Sequence, residues 1–233
     1  MHTKGRLVVI DGIDGSGKAT QSRLLARRLR KEGKQVRHLE FPQYEKSFFG
    51  ALLGEYLRGS FGDFVKVDPR IASVLYAADR FEAKEKMEKW LNAGCVVIAD
   101  RYVSANQIHQ GGKIGSAAKR KVFLQWLDRL EHRVFGMPRP HLVIYLDIPV
   151  SMSIELLTQS KKILAEKKKK YLRGRRDLAE GNRLYLEQSR RSALLLAREN
   201  KNWEKVLCTE RGQLFSKQKI HEAIWSIVGP LSS

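Results

Sequence analysis

Residues 7–20 constrain this chain more than any other stretch. An apolar run, Leu7-Val8-Val9-Ile10, leads directly into Gly12-Ile13-Asp14-Gly15-Ser16-Gly17-Lys18-Ala19-Thr20. The spacing is that of G-x-x-x-x-G-K-[ST]. In that pattern glycines let backbone N–H groups turn inward around a phosphate, the lysine reaches the outer phosphates and a hydroxyl meets Mg²⁺. Here the hydroxyl position is Ala19. Lys18 opens a run that puts Leu24, Leu25 and Leu29 on one helical face. A helix starting there sets its partial positive charge against the phosphate. A chance glycine-rich turn would lack the flanking strand and helix, so Gly12 to Thr20 is read as a nucleoside triphosphate site.

Further apolar runs at Val36–Leu39, Val96–Ala99, Leu142–Leu146 and Lys205–Cys208 alternate with segments of helical period. Such alternation predicts a parallel sheet with helices on both faces, a P-loop α/β fold whose ligands bind beyond the carboxyl ends of the strands. At 233 residues, with no linker-like stretch and no repeat, residues 1–233 read as one domain. No apolar run approaches a membrane span of roughly 20 residues. The first strand starts near Arg6, which leaves no room for a leader. Two cysteines, Cys95 and Cys208, sit beside predicted strands and suit a core in a reducing compartment, hence a cytoplasmic protein.

Lys and Arg number 44 against 25 Asp and Glu, a formal net charge of +19. This excess attracts polyanions at low salt and speaks to partners, not to fold. It fits a protein handling phosphorylated ligands, a nucleic-acid binder or a merely basic surface. No zinc-finger, RRM or homeodomain pattern strengthens the second reading, so nucleic acid is expected only as a non-specific partner.

The residues after each strand should hold the chemistry. Val96-Val97-Ile98-Ala99 ends in Asp100, placed to hold Mg²⁺, often through water, and Arg101 follows, able to neutralise phosphoryl oxygens. An Asp-Arg pair after a strand is as often structural. Asp147, after the fourth run, competes with Asp100, but Pro149 beyond it suggests that Asp147 closes a turn. Asp68-Pro69 reads as an N-cap with proline at the first helical position and Gly94 as the stop, giving one helix between them. That helix puts Tyr76 and Arg80 on one face, either a pocket for a base and a polar group or a packed ring beside a surface arginine. Asp79 would serve as partner to a nearby base. The basic tract from Lys161 to Arg176 reads either as a solvated loop or, beside a phosphate loop, as a lid, residues 161–181, that closes on the triphosphate. The apolar residues Val122, Phe123, Trp126, Leu127 and Leu130 have the spacing of a core stripe.

Taken together, the phosphate loop with Asp14, Phe41-Pro42-Gln43-Tyr44, Tyr76-Ala77-Ala78-Asp79-Arg80, Asp100-Arg101-Tyr102-Val103-Ser104-Ala105-Asn106 and the basic lid resemble thymidylate kinases, in order and spacing, from about Arg6 to Tyr185. The resemblance implies a nucleoside monophosphate kinase fold with a five-stranded parallel sheet, transfer of a phosphoryl group from ATP to dTMP, Mg²⁺ as cofactor and a cytosolic homodimer. It implies that Lys18 and the loop amides bind the donor and that Asp14 meets the acceptor 3′-hydroxyl. Tyr76 would stack on thymine, with Arg80 and Asn106 at the base. Arg101 would lie between the two phosphates, and Pro42 and Tyr44 would shape the acceptor pocket, with His109 and Gln110 beside it. Family members place a catalytic arginine either in the phosphate loop or in the lid. Gly15-Ser16 after Asp14 is similar to the second type, which makes Arg173, Arg175 and Arg176 the candidates.

Ala19 leaves the metal to Asp100, waters and the phosphates. His109 stands where a tyrosine that crowds the sugar 2′ side is common, so looser rejection of ribonucleotides is expected. Glu180, Asn182 and Tyr185 resemble an acidic patch near the acceptor phosphate, with Asn182 in place of an acid, and the lid holds more lysine than the family pattern suggests. Two other readings stay open: a different small-substrate kinase of this fold, and a non-catalytic, nucleotide-regulated binder of nucleic acid.

Overall fold

The computed structural model describes residues 4–63, 66–160 and 182–231. Five parallel strands, β1 (Arg6–Gly12), β2 (Val36–Glu40), β3 (Val96–Asp100), β4 (Leu142–Asp147) and β5 (Trp203–Leu207), form one sheet in the order β2-β3-β1-β4-β5. The expected five-stranded parallel sheet is present, with the fifth strand shifted so that Cys208 lies just past it. β1 is central, Val9 standing in register with Ala99 on one side and Val143 on the other. Side chains alternate across a strand, so β1 feeds two cores. Val8 and Ile10 join Leu25, Leu29, Ile144 and Ile224, while Leu7 and Val9 join Met87, Leu91, Val143 and Leu196. Helices α1 (Lys18–Lys31) and α9 (Lys217–Val228) supply the first core, α4 (Lys84–Asn92) the second, and α8 (Arg183–Glu199) both, through Tyr185 and Leu186 in the first and Ala193 and Leu196 in the second. Both cysteines are buried and unpaired.

The predicted helix between Asp68 and Gly94 is two. Asp68 caps α3 (Pro69–Glu82), its carboxylate accepting from the Arg70 amide at 2.7 Å. Gly94, at φ 78°, ends α4 as expected. Between them the chain tightens at Ala83, whose amide donates to the Arg80 carbonyl only three residues back, at 3.0 Å. The break lets α3 keep Ala72 in the first core while Ala83, Met87 and Leu91 enter the second.

α2 (Phe48–Leu57), α5 (Val103–Gly112), α6 (Ala117–Asp128) and α7 (Val150–Ser160) complete the main helices. A single π-turn, Arg129–Val134, extends α6 and puts Glu131 in the interior. A two-residue hairpin, β6 (Thr209–Glu210) with β7 (Gln213–Leu214), turns through Arg211 and Gly212, both at positive φ as such hairpin turns require. The stripe on α6 is core only at Phe123 and Leu127; Val122 is 54% exposed, because α6 rests on its neighbours along one edge.

Candidate active site

The phosphate loop links β1 to α1. Gly15 and Gly17 have φ of 80° and 89°, the left-handed region glycine tolerates. At Gly15 space decides as well: a Cβ there would lie 2.5 Å from the Ser153 carbonyl oxygen of α7. A side chain at this position would therefore require α7 or the loop to shift. The Ser153 hydroxyl donates to the Asp14 carbonyl and ties α7 to the loop. Lys18 folds back to donate to the Ile13 carbonyl at 2.9 Å. Burial lowers the Lys18 pKa, the Arg101 charge adds to this, and Asp14, with Nζ–Oδ1 at 3.8 Å, opposes both.

β3 delivers Asp100 and then Arg101. Asp100 is buried, and burial raises its pKa to about 6 against the opposing charges of Lys18 and Arg101. Arg101 has φ 66°, uncommon for a non-glycine residue, and its amide is held by the Ile10 carbonyl at 3.0 Å. Strain of this kind concentrates where a side chain must point into a site. The guanidinium donates to Asp14 Oδ1 through one terminal nitrogen and meets His109 Nε2 at 2.8 Å through the other. Burial alone would lower the Arg101 pKa, but Asp14, Asp11 and Asp100 outweigh it, so the charge is held firmly. Asp11, fully buried, accepts from the Ser104 hydroxyl at 2.5 Å and from the Gly12 amide at 2.9 Å, fastening α5 to the loop.

Beside the loop lies an open cleft of ≈ 550 Å³. Asp14 enters it from the loop, Pro42 and Tyr44 from the β2–α2 connection, Tyr76 and Arg80 from α3, Arg101 from the end of β3, and Asn106, His109 and Gln110 from α5. All nine residues the sequence assigned to an acceptor thus face one space. Pro42 follows a cis peptide bond. Phe41, Leu57, Ala105 and Tyr185 complete the walls.

Arg80 is not a surface arginine but 1% exposed. Its Nε and one terminal nitrogen both donate to Glu131, the former at 3.1 Å, and its other terminal nitrogen donates to the Tyr102 carbonyl at 3.3 Å. A guanidinium has five N–H donors, so two remain for a ligand. Asn106, which lines the cleft, sends its amide nitrogen to the Ser73 carbonyl at 3.1 Å and to Glu131 at 3.2 Å. The Gln110 carboxamide oxygen is buried with no partner among the described residues. Tyr76 packs edge-on against Tyr56, ring centroids 6.3 Å apart.

Several expectations change. Among the described residues the hydrogen-bond partners of the Asp79 carboxylate are not basic: it accepts from the Gln43 amide at 3.2 Å and the Ser47 hydroxyl at 2.5 Å, fixing the loop that carries Pro42 and Tyr44. Asp147 does not use its carboxylate to close a turn, since Arg190 of α8 holds it at 2.7 and 3.3 Å. That leaves Asp100 as the metal candidate of the two. Asn182 caps α8 by accepting from the Tyr185 amide at 3.0 Å, so the supposed acidic patch is a helix start at that position. Glu180, the lid 161–181 and its Arg173, Arg175 and Arg176 lie outside the described residues. Glu131, Ser153 and Ser189 went unnoticed in the sequence, since no local pattern marks a residue whose partner lies tens of positions away.

The donor set fits Mg²⁺: one buried carboxylate at a strand end beside a phosphate loop is the arrangement in which the ion keeps waters and takes the rest of its shell from phosphates. Among the described residues no group of three or more His, Cys, Asp or Glu could hold a metal by itself.

A phosphate loop on the central strand of a parallel sheet, with an adjoining cleft lined by aromatic and guanidinium groups, defines a nucleotide kinase. The family model of thymidylate kinase matches residues 10–220. Among relatives, the Mycobacterium tuberculosis thymidylate kinase is 31% identical over 149 residues, 64% of this chain and 69% of that one. A Pyrococcus abyssi chain named as a probable thymidylate kinase is 37% identical over 153 residues, 65% and 69% of the two chains. A solved thymidylate kinase from Candida albicans shares the fold, with TM-score 0.72 at 21% identity over 98% of this chain and 92% of that one. The chain belongs to the thymidylate kinase family, in the type without an arginine in the phosphate loop.

Proposed function

We propose that the chain transfers the γ-phosphoryl of ATP to dTMP, giving dTDP and ADP, with the cleft beside the phosphate loop as the acceptor site. The observation that carries this reading is that Tyr76, Arg80 and Gln110 line one cleft together with Asp14 of the loop and Arg101 after β3. An aromatic ring, a buried guanidinium with two spare N–H donors and an unpartnered carboxamide oxygen suit a base with a carbonyl and an N–H on its edge. Asp14 is the group for the acceptor 3′-hydroxyl. Pro42 and Tyr44 shape the pocket, Asn106 offers its oxygen, and His109 lies on the sugar side.

Lys18, the loop amides of Gly12 to Thr20 and the start of α1 hold the donor phosphates. Arg101, with N–H groups to spare beyond Asp14 and His109, stabilises charge on the group in transit. The acceptor phosphate is already anionic near neutrality, so no general base is required and catalysis rests on alignment. Mg²⁺, held by Asp100 through water and by the phosphates, would neutralise phosphate charge. Arg173, Arg175 and Arg176 are the candidates for the lid cation, since the loop carries Gly15-Ser16 and no arginine after Asp14.

A coupled assay with ATP, Mg²⁺ and a panel of nucleoside monophosphates is expected to show dTMP as the best acceptor and dUMP second. Highest turnover with AMP, CMP or a non-nucleotide acceptor would overturn the assignment.

The whole chain is read as one domain with a lid at 161–181, working in the cytosol as a homodimer. Support for the dimer comes from exposed apolar side chains, Ile71 at 61% and Val74 at 39% on α3 and Val122 at 54% on α6. Arg70 lies 5.6 Å from the Trp126 ring where these helices meet. Sedimentation is expected at twice the chain mass of 26.7 kDa; a monomer at micromolar concentration would contradict it. No helix among the described residues is long and apolar enough to cross a membrane. Buried free cysteines suit a reducing compartment, which cell fractionation checks.

A further inference from the structure

His109 makes contacts that binding a sugar does not require. It is 7% exposed, stacks on Tyr185 with ring centroids 5.8 Å apart, and bridges two groups: Arg101 at Nε2, 2.8 Å away, and the Ser189 hydroxyl at Nδ1, 3.1 Å away. Arginine has only donors, so the nitrogen facing it must present a lone pair. The ring is therefore the Nδ1–H tautomer, and Nδ1–H donates to Ser189 Oγ. The bridge depends on a close helix approach: a Cβ on Gly112 of α5 would stand 3.1 Å from the backbone of Gln188 and Ser189 on α8. Among the described residues the charged groups that act on the ring are Arg101, Asp14, Lys18 and Lys113. Burial first, and then the Arg101 charge, lowers the His109 pKa to about 3, so the ring is neutral at physiological pH.

We propose that His109 is a positioning residue for Arg101: a neutral imidazole, its tautomer set by Ser189 of α8, accepts from one arm of the guanidinium while Asp14 holds the other. The two anchors fix the guanidinium plane and leave its remaining N–H groups for phosphoryl oxygens. Because the acceptor is uncharged, it orients Arg101 without cancelling its charge. This rests on the reading of Arg101 as the residue at the transferring group.

The test combines nitrogen NMR with kinetics. In the wild-type protein the His109 resonances, assigned by their loss in His109→Leu, are expected to show a protonated Nδ1 and a bare Nε2. A protonated Nε2 would overturn the proposal whatever Arg101 does. His109→Leu is expected to lower kcat by about 10-fold, with KM for ATP changed by less than about 2-fold, as for a misaligned catalytic group. His109→Gln, which restores an acceptor, should recover part of the loss; equal losses in Leu and Gln variants would mean packing alone and sink the idea. In the Arg101→Ala background, His109→Leu should cost nothing further. A normal Arg101→Ala loss on which the His109→Leu loss multiplies in full would refute this proposal alone, whereas full turnover in Arg101→Ala would refute the reading of Arg101 itself.

Discussion

Arg101→Ala is expected to lower kcat by at least about 10²-fold while KM for either nucleotide changes far less, because the lost interaction is strongest in the transition state. The geometry gives the reason. Arg101 follows the carboxyl end of β3 at a φ of 66°, tethered through its amide to β1, and its side chain is fixed by Asp14 and His109. A mobile surface arginine would lose its entropy on each turnover; this one is ordered beforehand. Arg101→Lys should recover little, since a point charge cannot hold two anchors and still offer a planar fork. Turnover within a factor of about two of wild type in Arg101→Ala would remove it from the transfer step, because a lost transition-state donor costs far more than that.

The second large effect is on both stability and acceptor binding. Glu131 is completely buried and receives two hydrogen bonds from Arg80 and one from Asn106. Glu131→Leu strands a buried guanidinium, a change that costs about 3–5 kcal/mol in comparable buried pairs. For a chain of this size that is a fall in Tm of roughly 10 °C. It also leaves Arg80 held only by the Tyr102 carbonyl and Asn106 only by the Ser73 carbonyl, so KM for dTMP is expected to rise by about 10-fold or more if these two groups orient the base. The double variant Arg80→Met/Glu131→Leu separates the two consequences: stability should return, since no charge is left unpaired, while acceptor affinity stays low. A stable Glu131→Leu protein with wild-type KM for dTMP would show that the pair does not orient the pocket.

The comparison of these two residues shows what a sequence can and cannot reveal. Arg101 was legible because it follows Asp100 at the end of an apolar strand, and an open α/β sheet gathers ligands at such ends. Tyr76 and Arg80 were legible as one helical face, since a period of 3.6 is a local property. Glu131 was not. It reaches Arg80 across 51 positions and sits in a π-turn that the spacing of α6 does not announce. Ser189 reaches His109 across 80 positions for the same reason, on a helix that reads only as amphipathic. The break at Ala83 was hidden because a helix that changes axis without proline or glycine keeps its polar and apolar period. Asp147 misled in the opposite direction: its sequence neighbours suggested a turn, and a partner on α8 took the carboxylate instead. The catalytic wall of the site was therefore written in short patterns, and its supporting contacts in long-range pairs that only the packed sheet brings together.

The cleft beside the phosphate loop is expected to hold dTMP with its base toward Tyr76 and Arg80 and its phosphate toward Arg101. A crystal structure of the chain with dTMP and a non-hydrolysable ATP analogue tests this most directly. The expected result is thymine stacked on Tyr76 with Arg80 and Gln110 at its edge, the 3′-hydroxyl at Asp14, and Arg101 between the donor and acceptor phosphates. A dTMP molecule bound with its base at the phosphate loop, or outside the cleft altogether, would contradict it.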